Sequence, residues 1–491
     1  MNKTTPVFPH QAEHHMTTLP FCLRLIIGIA MLLVTGCLFD PQPIELTIQP
    51  PDSFSRSGQN PLPDKWWEAF EDEALNLLME KALENNPTLL ATWDRLRQAE
   101  EIAVRDGAPR FPFLNGNSNA SRSRTSVGTQ TDRFAVGLSV AYELDLWGRV
   151  RAFGSAARFD AQSSQEDLTA AAITLSSQMA KTWYNLLEQR GQLALLEKQI
   201  STNEKVLQVV TLRFRQGIAA AADVLRQKQL VAQTRGNTKD VRAQIGTLSH
   251  QLAILLGKPP TSLDIPDDQT LILLPPLPDT GLPGELIQRR PDVQAVFYQV
   301  QAADARVAAA IAERFPRIDL GAAITTNLTP TLTGGAFATA PGGLFANWLA
   351  NVSAQIVAPI FNAGARAAQV DLTKATRSEV LHNYEFTVLQ AFQEVENALI
   401  QEAQQREKTS SLEEQFQIAT QVIERLRARY LNGATPYLDV LNALNSQQEL
   451  EREILTARRT LIDFRVDLAK ALAGGWPMTK PEIRQLTISN G

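Results

Sequence analysis

The chain has 491 residues, of which 44% are hydrophobic and 20% are charged, and its formal net charge is −5. This mild acidity, with Lys and Arg dispersed along the chain, argues against an electrostatic nucleic-acid interface, so no nucleic-acid partner is expected. The two cysteines, Cys22 and Cys37, lie close to the N-terminus, which leaves the rest of the chain without disulfide or thiol chemistry.

Residues 1–36 have the pattern of a signal peptide. Arg24 precedes an apolar run from Leu25 to Leu33 that is too short to span a membrane stably. The run ends in Val34-Thr35-Gly36-Cys37, which resembles a bacterial lipobox. Cleavage before Cys37 would leave a lipid-modified N-terminal residue. An ordinary apolar N-terminus with an incidental cysteine is the alternative.

Two segments precede the first strands. Residues 37–63 are rich in proline and polar residues and predict an extended, lipidated tether. Residues 64–110 predict the N-terminal helices of a first repeat. Asp64 is expected to cap the first of these helices, and Pro87 suits the first turn of the second. The first helix carries three aromatic residues, Trp66, Trp67 and Phe70.

Residues 111–147 predict a first β-hairpin, because apolar residues alternate with small or acidic ones from Phe134 to Leu146. The alternation is longer than the usual soluble strand of about 5–6 residues and suits an outer-membrane strand of about 9–11. Residues 315–361 predict a second hairpin, with alternation from Ile318 to Ile324 and from Trp348 to Ile360. Half-buried strands of a soluble sandwich are the alternative.

Long helices follow each hairpin, in residues 148–257 and 362–473. Neither the stretch from Gly148 to Gln216 nor that from Asn362 to Leu431 contains proline. Each therefore predicts a continuous helix of about 100 Å, which turns at a glycine and returns as a second helix with coiled-coil packing. A linker at 258–283, second-repeat N-terminal helices at 284–314 and a C-terminal tail at 474–491 complete the predicted domains.

The chain is internally duplicated. Pro87 and Pro291 lie 204 positions apart, as do Arg110 and Arg314. Further on, the offset is 216 for residues at the helical turns: Arg213, Gly217 and Asp223 recur as Arg429, Gly433 and Asp439. Such a repeat fixes the architecture, here two copies of a unit of helices and one hairpin. The fold class is therefore mainly α with membrane β.

Counting strands predicts an oligomer. One chain would supply four membrane strands, whereas single-chain barrels start at about eight and lipid does not tolerate an open sheet edge. Three chains would close a barrel of twelve strands, and two chains would close one of eight with a filled lumen. The small residues on the polar strand faces favour the wider tube.

The motifs in this order resemble those of the TolC-like outer-membrane efflux factors, in their lipoprotein branch. The resemblance covers about residues 60–475 and rests on four motifs: Leu146-Trp147-Gly148-Arg149, Arg290-Pro291-Asp292-Val293, Arg314-Phe315-Pro316 and the turn from Arg429 to Leu441. It implies a homotrimer with a twelve-stranded barrel in the outer membrane and a long α-helical barrel across the periplasm.

The same resemblance implies a passive exit duct for drugs or other small toxic solutes. Its partners would be outer-membrane lipid, a periplasmic adaptor and an inner-membrane efflux pump of the resistance-nodulation-division class. The duct of a type I protein-secretion system remains an alternative in the same class. A periplasmic coiled-coil adaptor is the alternative from another class, and the alternating strands argue against it.

Candidate gate residues follow from the resemblance. Leu438, Asp439 and Asn442 match pore-facing positions near the start of the last helix, and Asp223 is the counterpart of Asp439 in the first copy. A first-turn aspartate favoured by the helix dipole is the plainer interpretation of Asp439. The residues at the two turns would form the tips where the adaptor docks, or serve only as turn residues: Arg213, Gly217, Arg429 and Gly433.

No enzyme, metal or cofactor is predicted. Only His250 and His382 follow Cys37, and neither has His, Cys or clustered carboxylates at ligand spacing. No nucleophile–histidine pair and no phosphate-binding glycine motif is present. Glu394 and Glu396 are interpreted as part of a solvated helix face.

Overall fold

A computed structural model describes residues 48–126, 130–260, 270–328, 331–333, 336–338 and 348–472. The predicted signal peptide, Cys37 and the predicted C-terminal tail lie outside the described residues. Within the described ranges, no helix is both long enough and apolar enough to cross a membrane.

Eight α-helices account for most of the described chain. They are α1 Glu73–Asn85, α2 Pro87–Gly107, α3 Arg149–Arg215, α4 Ala221–Leu255, α5 Pro283–Arg289, α6 Pro291–Ala312, α7 Ala365–Leu431 and α8 Tyr437–Leu472. The two long helices α3 and α7 each have 67 residues. Their continuity follows from the absence of proline, and each begins after a glycine in the left-handed region, Gly148 or Gly364.

The first helices differ from the prediction. Trp66–Phe70 is a short 3-10 helix, and Glu71 after it has a left-handed φ of 53° that ends the run. Asp72, not Asp64, is the capping residue: its carboxylate accepts a hydrogen bond from the Leu75 N–H at 3.0 Å at the start of α1. The turn before α1 offers an aspartate at the correct position, so the cap forms there.

The main sheet has four antiparallel strands, in the spatial order β1-β2-β3-β6. Their bounds are β1 Phe113–Arg124, β2 Gln130–Glu143, β3 Arg317–Leu328 and β6 Trp348–Val357. A second ladder joins β4 Thr331–Thr333 to β5 Ala336–Ala338, between the two alternating stretches of the predicted second hairpin. Its threonine-rich first strand has β-branched residues, which favour extended backbone.

The register confirms that the strands alternate between an apolar and a small or polar face. Leu138 lies opposite Ile324, which lies opposite Ala350 on the next strand. One residue further along, Ser139 is paired with Ala323 and Ala323 with Asn351, on the other face. Within the described chain, β1 and β6 each have a pairing partner on one side only.

Arg290 joins helices α6, α7 and α8 within the second copy. Its guanidinium is buried, forms ion pairs with Asp292 (2.6 Å) and Glu394 (2.7 Å), and donates a hydrogen bond to the Ala471 carbonyl. Glu394 is thus engaged although its side chain is half exposed. The interpretation of Glu394 and Glu396 as a solvated face was incomplete, because Glu396 also accepts a hydrogen bond from the Ser55 N–H.

Candidate functional site

The two helical tips share the same turn. At the first, the Ile218 N–H donates to the Arg213 carbonyl at 2.9 Å, and Gly217 has φ +73°. At the second, the Ala434 N–H donates to the Arg429 carbonyl at 2.8 Å, and Gly433 has φ +74°. These are Schellman turns, in which a left-handed glycine satisfies the last helix carbonyls. The glycines are therefore structural turn residues, whatever else they do.

The arginines at the tips have different environments. The Arg213 guanidinium lies 4.7 Å from the centroid of the Tyr430 ring and donates to the carbonyls of Tyr430 and Leu431, each at 3.3 Å. Arg213 therefore joins the first tip to the second. Arg429 is exposed, and its side chain donates to the Ala434 carbonyl of its own turn at 3.4 Å. Of the two, Arg429 is the one presented to solvent.

One face of the first turns of α8 is packed into the tip. Four residues at helical spacing are buried there: Tyr437, Val440, Leu441 and Leu444. The Tyr437 hydroxyl donates to Gln227 Oε1 on α4 at 2.5 Å. Burial raises the pKa of Tyr437, so the phenol remains a hydrogen-bond donor at neutral pH.

The candidate gate residues lie on the other face of α8. Leu438 is 40% exposed, and Asp439 and Asn442 are also exposed. The Thr435 hydroxyl donates to Asp439 Oδ2 at 2.7 Å, which is a first-turn contact. The structure thus brings Leu438, Asp439 and Asn442 together on a surface turned away from the packed helices.

Asp223 does not join this surface. It is half-buried in the first turn of α4, pairs with Arg226 at 3.6 Å and accepts a hydrogen bond from the Ala220 N–H at 3.4 Å. An acidic residue at this position satisfies free N–H groups and the helix dipole. Its geometry is that of a capping residue.

A buried set of polar side chains near the tips was missed from the sequence. Asn203 on α3 and Gln448 on α8 exchange two amide hydrogen bonds, at 2.9 and 3.2 Å, and Gln227 Nε2 donates to the Asn203 carbonyl at 2.8 Å. All three are buried. The only signal was that amide residues occupy apolar-stripe positions of long helices, where their burial cannot be recognised without the partner helix.

The sequence motifs at the other end of α3 meet in space. Trp147 Nε1 donates to the Pro316 carbonyl at 2.7 Å, and the Trp147 ring stacks on Phe315 with 4.8 Å between centroids. Asp145 accepts hydrogen bonds from the Val150 and Arg151 N–H groups at 3.0 and 2.9 Å and so caps α3. This contact joins the hairpin of the first copy to that of the second, where the strands give way to helices.

A family model described as outer membrane efflux protein matches residues 78–258 and 282–474, which is most of the chain. The chain belongs to the outer membrane efflux protein family. The pyoverdine export outer membrane protein OpmQ of Pseudomonas aeruginosa is 30% identical to the chain over 463 residues, covering 91% of the chain and 96% of OpmQ. The cation efflux system protein CusC of Escherichia coli (strain K12) is 27% identical over 477 residues, covering 93% and 99%.

Solved structures agree with this assignment. The outer-membrane channel OprN matches with a TM-score of 0.80 at 25% identity, covering 90% of this chain and 99% of that one. The open state of the MtrE outer membrane channel of Neisseria gonorrhoeae matches with a TM-score of 0.78 at 25% identity, covering 90% and 99%. The predicted fold class, a helical barrel with a strand region, is confirmed.

The predicted function is confirmed at the level of the family. The chain is an outer-membrane channel of an efflux system that extends into the periplasm, and it is not an enzyme. The periplasmic adaptor considered as an alternative is therefore excluded. Among the described residues, no group of His, Cys, Asp and Glu side chains has the arrangement of a metal site.

Proposed function

We propose that the chain is one subunit of a homotrimeric exit duct, which takes solutes from an inner-membrane pump and a periplasmic adaptor. The open edges of its sheet support the trimer. Each chain has a four-stranded sheet whose outer strands β1 and β6 are paired on one side only. Three such sheets joined edge to edge supply a closed barrel, which removes the open edges that lipid does not tolerate.

The gate is proposed at the periplasmic tips, on the exposed face of α8. The observation that carries this proposal is that Leu438, Asp439 and Asn442 remain exposed while Tyr437, Val440 and their neighbours on the same turns are buried. In a trimer each exposed position becomes a ring of three side chains. Three Asp439 carboxylates close together would repel one another and attract cations. Asp223, already engaged as a cap, is proposed to hold the first tip and not to line the pore.

Single-channel recording tests the gate. Replacing Asp439 with alanine removes the charged ring, so we expect higher conductance and weaker cation selectivity in planar bilayers. A matched control is Asp240→Ala, which also removes one exposed carboxylate, but on α4 and away from the proposed gate. We expect the control to conduct as the unaltered protein does. Equal conductance and selectivity in all three proteins would refute the role of Asp439.

Adaptor docking and lipid anchoring complete the proposal. The tip surface offered to an adaptor comprises Gly217, Arg429 and Gly433, which are exposed, while Arg213 holds the two tips together. Cys37 is proposed as the lipid-modified residue on the basis of its lipobox-like sequence. Its acyl chains would add an anchor in the outer membrane to the barrel itself.

The cargo is proposed to be set by the pump. Relatives of this chain are named for different solutes: OpmQ for pyoverdine, CusC for cations and TtgI of Pseudomonas putida for toluene. One duct architecture therefore serves chemically unlike cargoes. Measuring efflux of small solutes and secretion of a protein in a strain lacking this chain tests the proposal against a type I protein-secretion duct.

A further inference from the structure

The long helix α7 lacks a lateral neighbour that its counterpart α3 has. Within the chain, α3 packs against α2 of its own copy and against α6 of the other copy. By the duplication, α7 should pack against α6 of its own copy and against α2. The first contact is present, but the described part of a single chain contains no extended contact between α7 and α2.

The two copies can be compared residue by residue along these helices. Both α3 and α7 have 67 residues, and each begins directly after a left-handed glycine. Their starts, Arg149 and Ala365, differ by 216 positions, and the starts of α2 and α6, Pro87 and Pro291, differ by 204. Since no insertion interrupts the helices, these two offsets identify the counterpart of every residue in the α3–α6 contact.

The α3–α6 contact is antiparallel and partly polar. Gln299 Nε2 on α6 donates to Ser163 Oγ on α3 at 3.2 Å, and Arg306 pairs with Asp160 one turn away. Ala156, a further turn along α3, is 3% exposed. This row of α3 residues is therefore covered by α6.

The corresponding row of α7 is uncovered. The counterpart of Ala156 is Leu372, which is 59% exposed, and Phe386 further along the row is 58% exposed. The row runs at alternating steps of four and three, the spacing of a coiled-coil seam. All its members are exposed: Leu372, Thr376, Glu379, Asn383 and Phe386. Exposed apolar side chains at both ends of such a row, with polar ones between them, are typical of a helix face that a neighbouring helix covers.

Charge identifies the helix that covers it. The counterpart of Ser163 is Glu379, and the counterpart of Gln299 is Arg95 on α2. Both are exposed, and within the described chain neither makes an ion pair. The neutral contact of one copy has thus become a pair of opposite charges in the other. The second polar contact has no such equivalent, because Ile102 and Thr376 stand at the positions of Arg306 and Asp160.

We propose that Glu379 of one protomer forms an ion pair with the partner's Arg95, in an interface that repeats the α3–α6 contact between chains as α7 against α2. The neighbouring helix belongs to a second copy of this chain. Glu379 lies on α7 and Arg95 on α2, and these two helices make no extended contact within the described part of one chain. A head-to-tail contact forms a ring when its rotation closes, as it would in the proposed trimer. The inference rests on the proposed trimer but not on the gate or on transport.

Charge reversal tests the pair. We expect Arg95→Glu and Glu379→Arg each to place like charges together, leaving roughly tenfold less trimer at a fixed temperature on unheated detergent gels. The double variant restores the pair in reverse and should recover most of the trimer. Arg97→Glu is the matched control, because Arg97 faces Asp94 on its own helix at 3.5 Å, and it should leave the trimer unchanged. Losses that simply add in the double variant would overturn the pair.

Cross-linking tests whether positions 95 and 379 of neighbouring protomers lie close together. In the full chain, Arg95→Cys combined with Glu379→Cys should give products of two and three chains with a short bismaleimide. The pair Gln299→Cys with Ser163→Cys should react at the mass of a single chain, because its contact lies within one protomer. Trimers without an interchain product would overturn this contact and leave the duct intact. A chain that stays monomeric in the outer membrane would contradict the duct as well.

Discussion

Single residues at the two tips are fixed by backbone conformation. Gly217 and Gly433 both have φ in the left-handed region, and a Cβ added at either would meet no other atom within 4 Å. A larger residue would therefore be opposed by backbone strain and not by crowding. The sequence predicted both glycines as turn residues, because their type alone indicates such a conformation. It could not distinguish the environments of Arg213 and Arg429, which depend on a tip more than two hundred residues away.

Gly433→Ala should destabilise the second tip by about 1–2 kcal/mol, the cost of holding a residue with a Cβ in the left-handed region. Gly236 provides the matched control, since it lies within α4 and its Cβ would also meet nothing within 4 Å. Gly236→Ala should stabilise the protein by about 0.5–1 kcal/mol through helix propensity. Circular dichroism during denaturant unfolding in detergent measures both changes, and shifts of the same sign would contradict this account.

At the scale of elements, the seam between α3 and α8 is specified by buried amides. Absence of proline predicted the long helices to within a few residues, and heptad spacing predicted that they pack in pairs. The pairing of Asn203 with Gln448 could not be predicted from the sequence, because a glutamine on a long helix more often faces water. Gln227 was missed for the same reason, since its partners Tyr437 and Asn203 come from two other helices.

The amide pair should show strong coupling. Gln448→Leu leaves the buried Asn203 amide without its main partners and should cost about 2 kcal/mol. Adding Asn203→Leu removes the stranded group, so the double variant should lose clearly less than the sum of the two single losses. A double-mutant cycle of unfolding free energies measures this coupling, and strict additivity would show that the amides act independently.

For the whole molecule, Arg465 ties the linker between the two copies to both helices of the second. Its guanidinium forms a buried pair with Glu402 at 2.6 Å and donates to the carbonyls of Pro275 and Pro276 at 2.8 and 2.7 Å. The side chains of Arg465 and Glu402 are 3% and 5% exposed. A pair this deep is stabilising only while both partners are present.

Arg465→Met should therefore cost about 3–5 kcal/mol, because it leaves the Glu402 carboxylate buried without its main partner and frees two carbonyls. Arg458→Met is the matched control: Arg458 pairs with Glu413 at 2.7 Å, but both side chains are about half exposed, so the loss should stay below about 1 kcal/mol. Limited proteolysis with proteinase K should also cut residues 270–282 faster in the Arg465 variant only. Equal cleavage in both variants would show that Arg465 does not hold the linker.

The equal length of α3 and α7 constrains how this protein can change in evolution. Both helices have 67 residues, and Arg213 near the end of α3 contacts Tyr430 and Leu431 at the end of α7, so the two turns lie side by side. Losing seven residues from one of them would draw its turn back by about 10 Å and leave a stepped rim where a partner must seat. Changes in helix length are therefore tolerated only when both halves of the gene acquire them together. The length of the duct thus evolves through equal changes in α3 and α7.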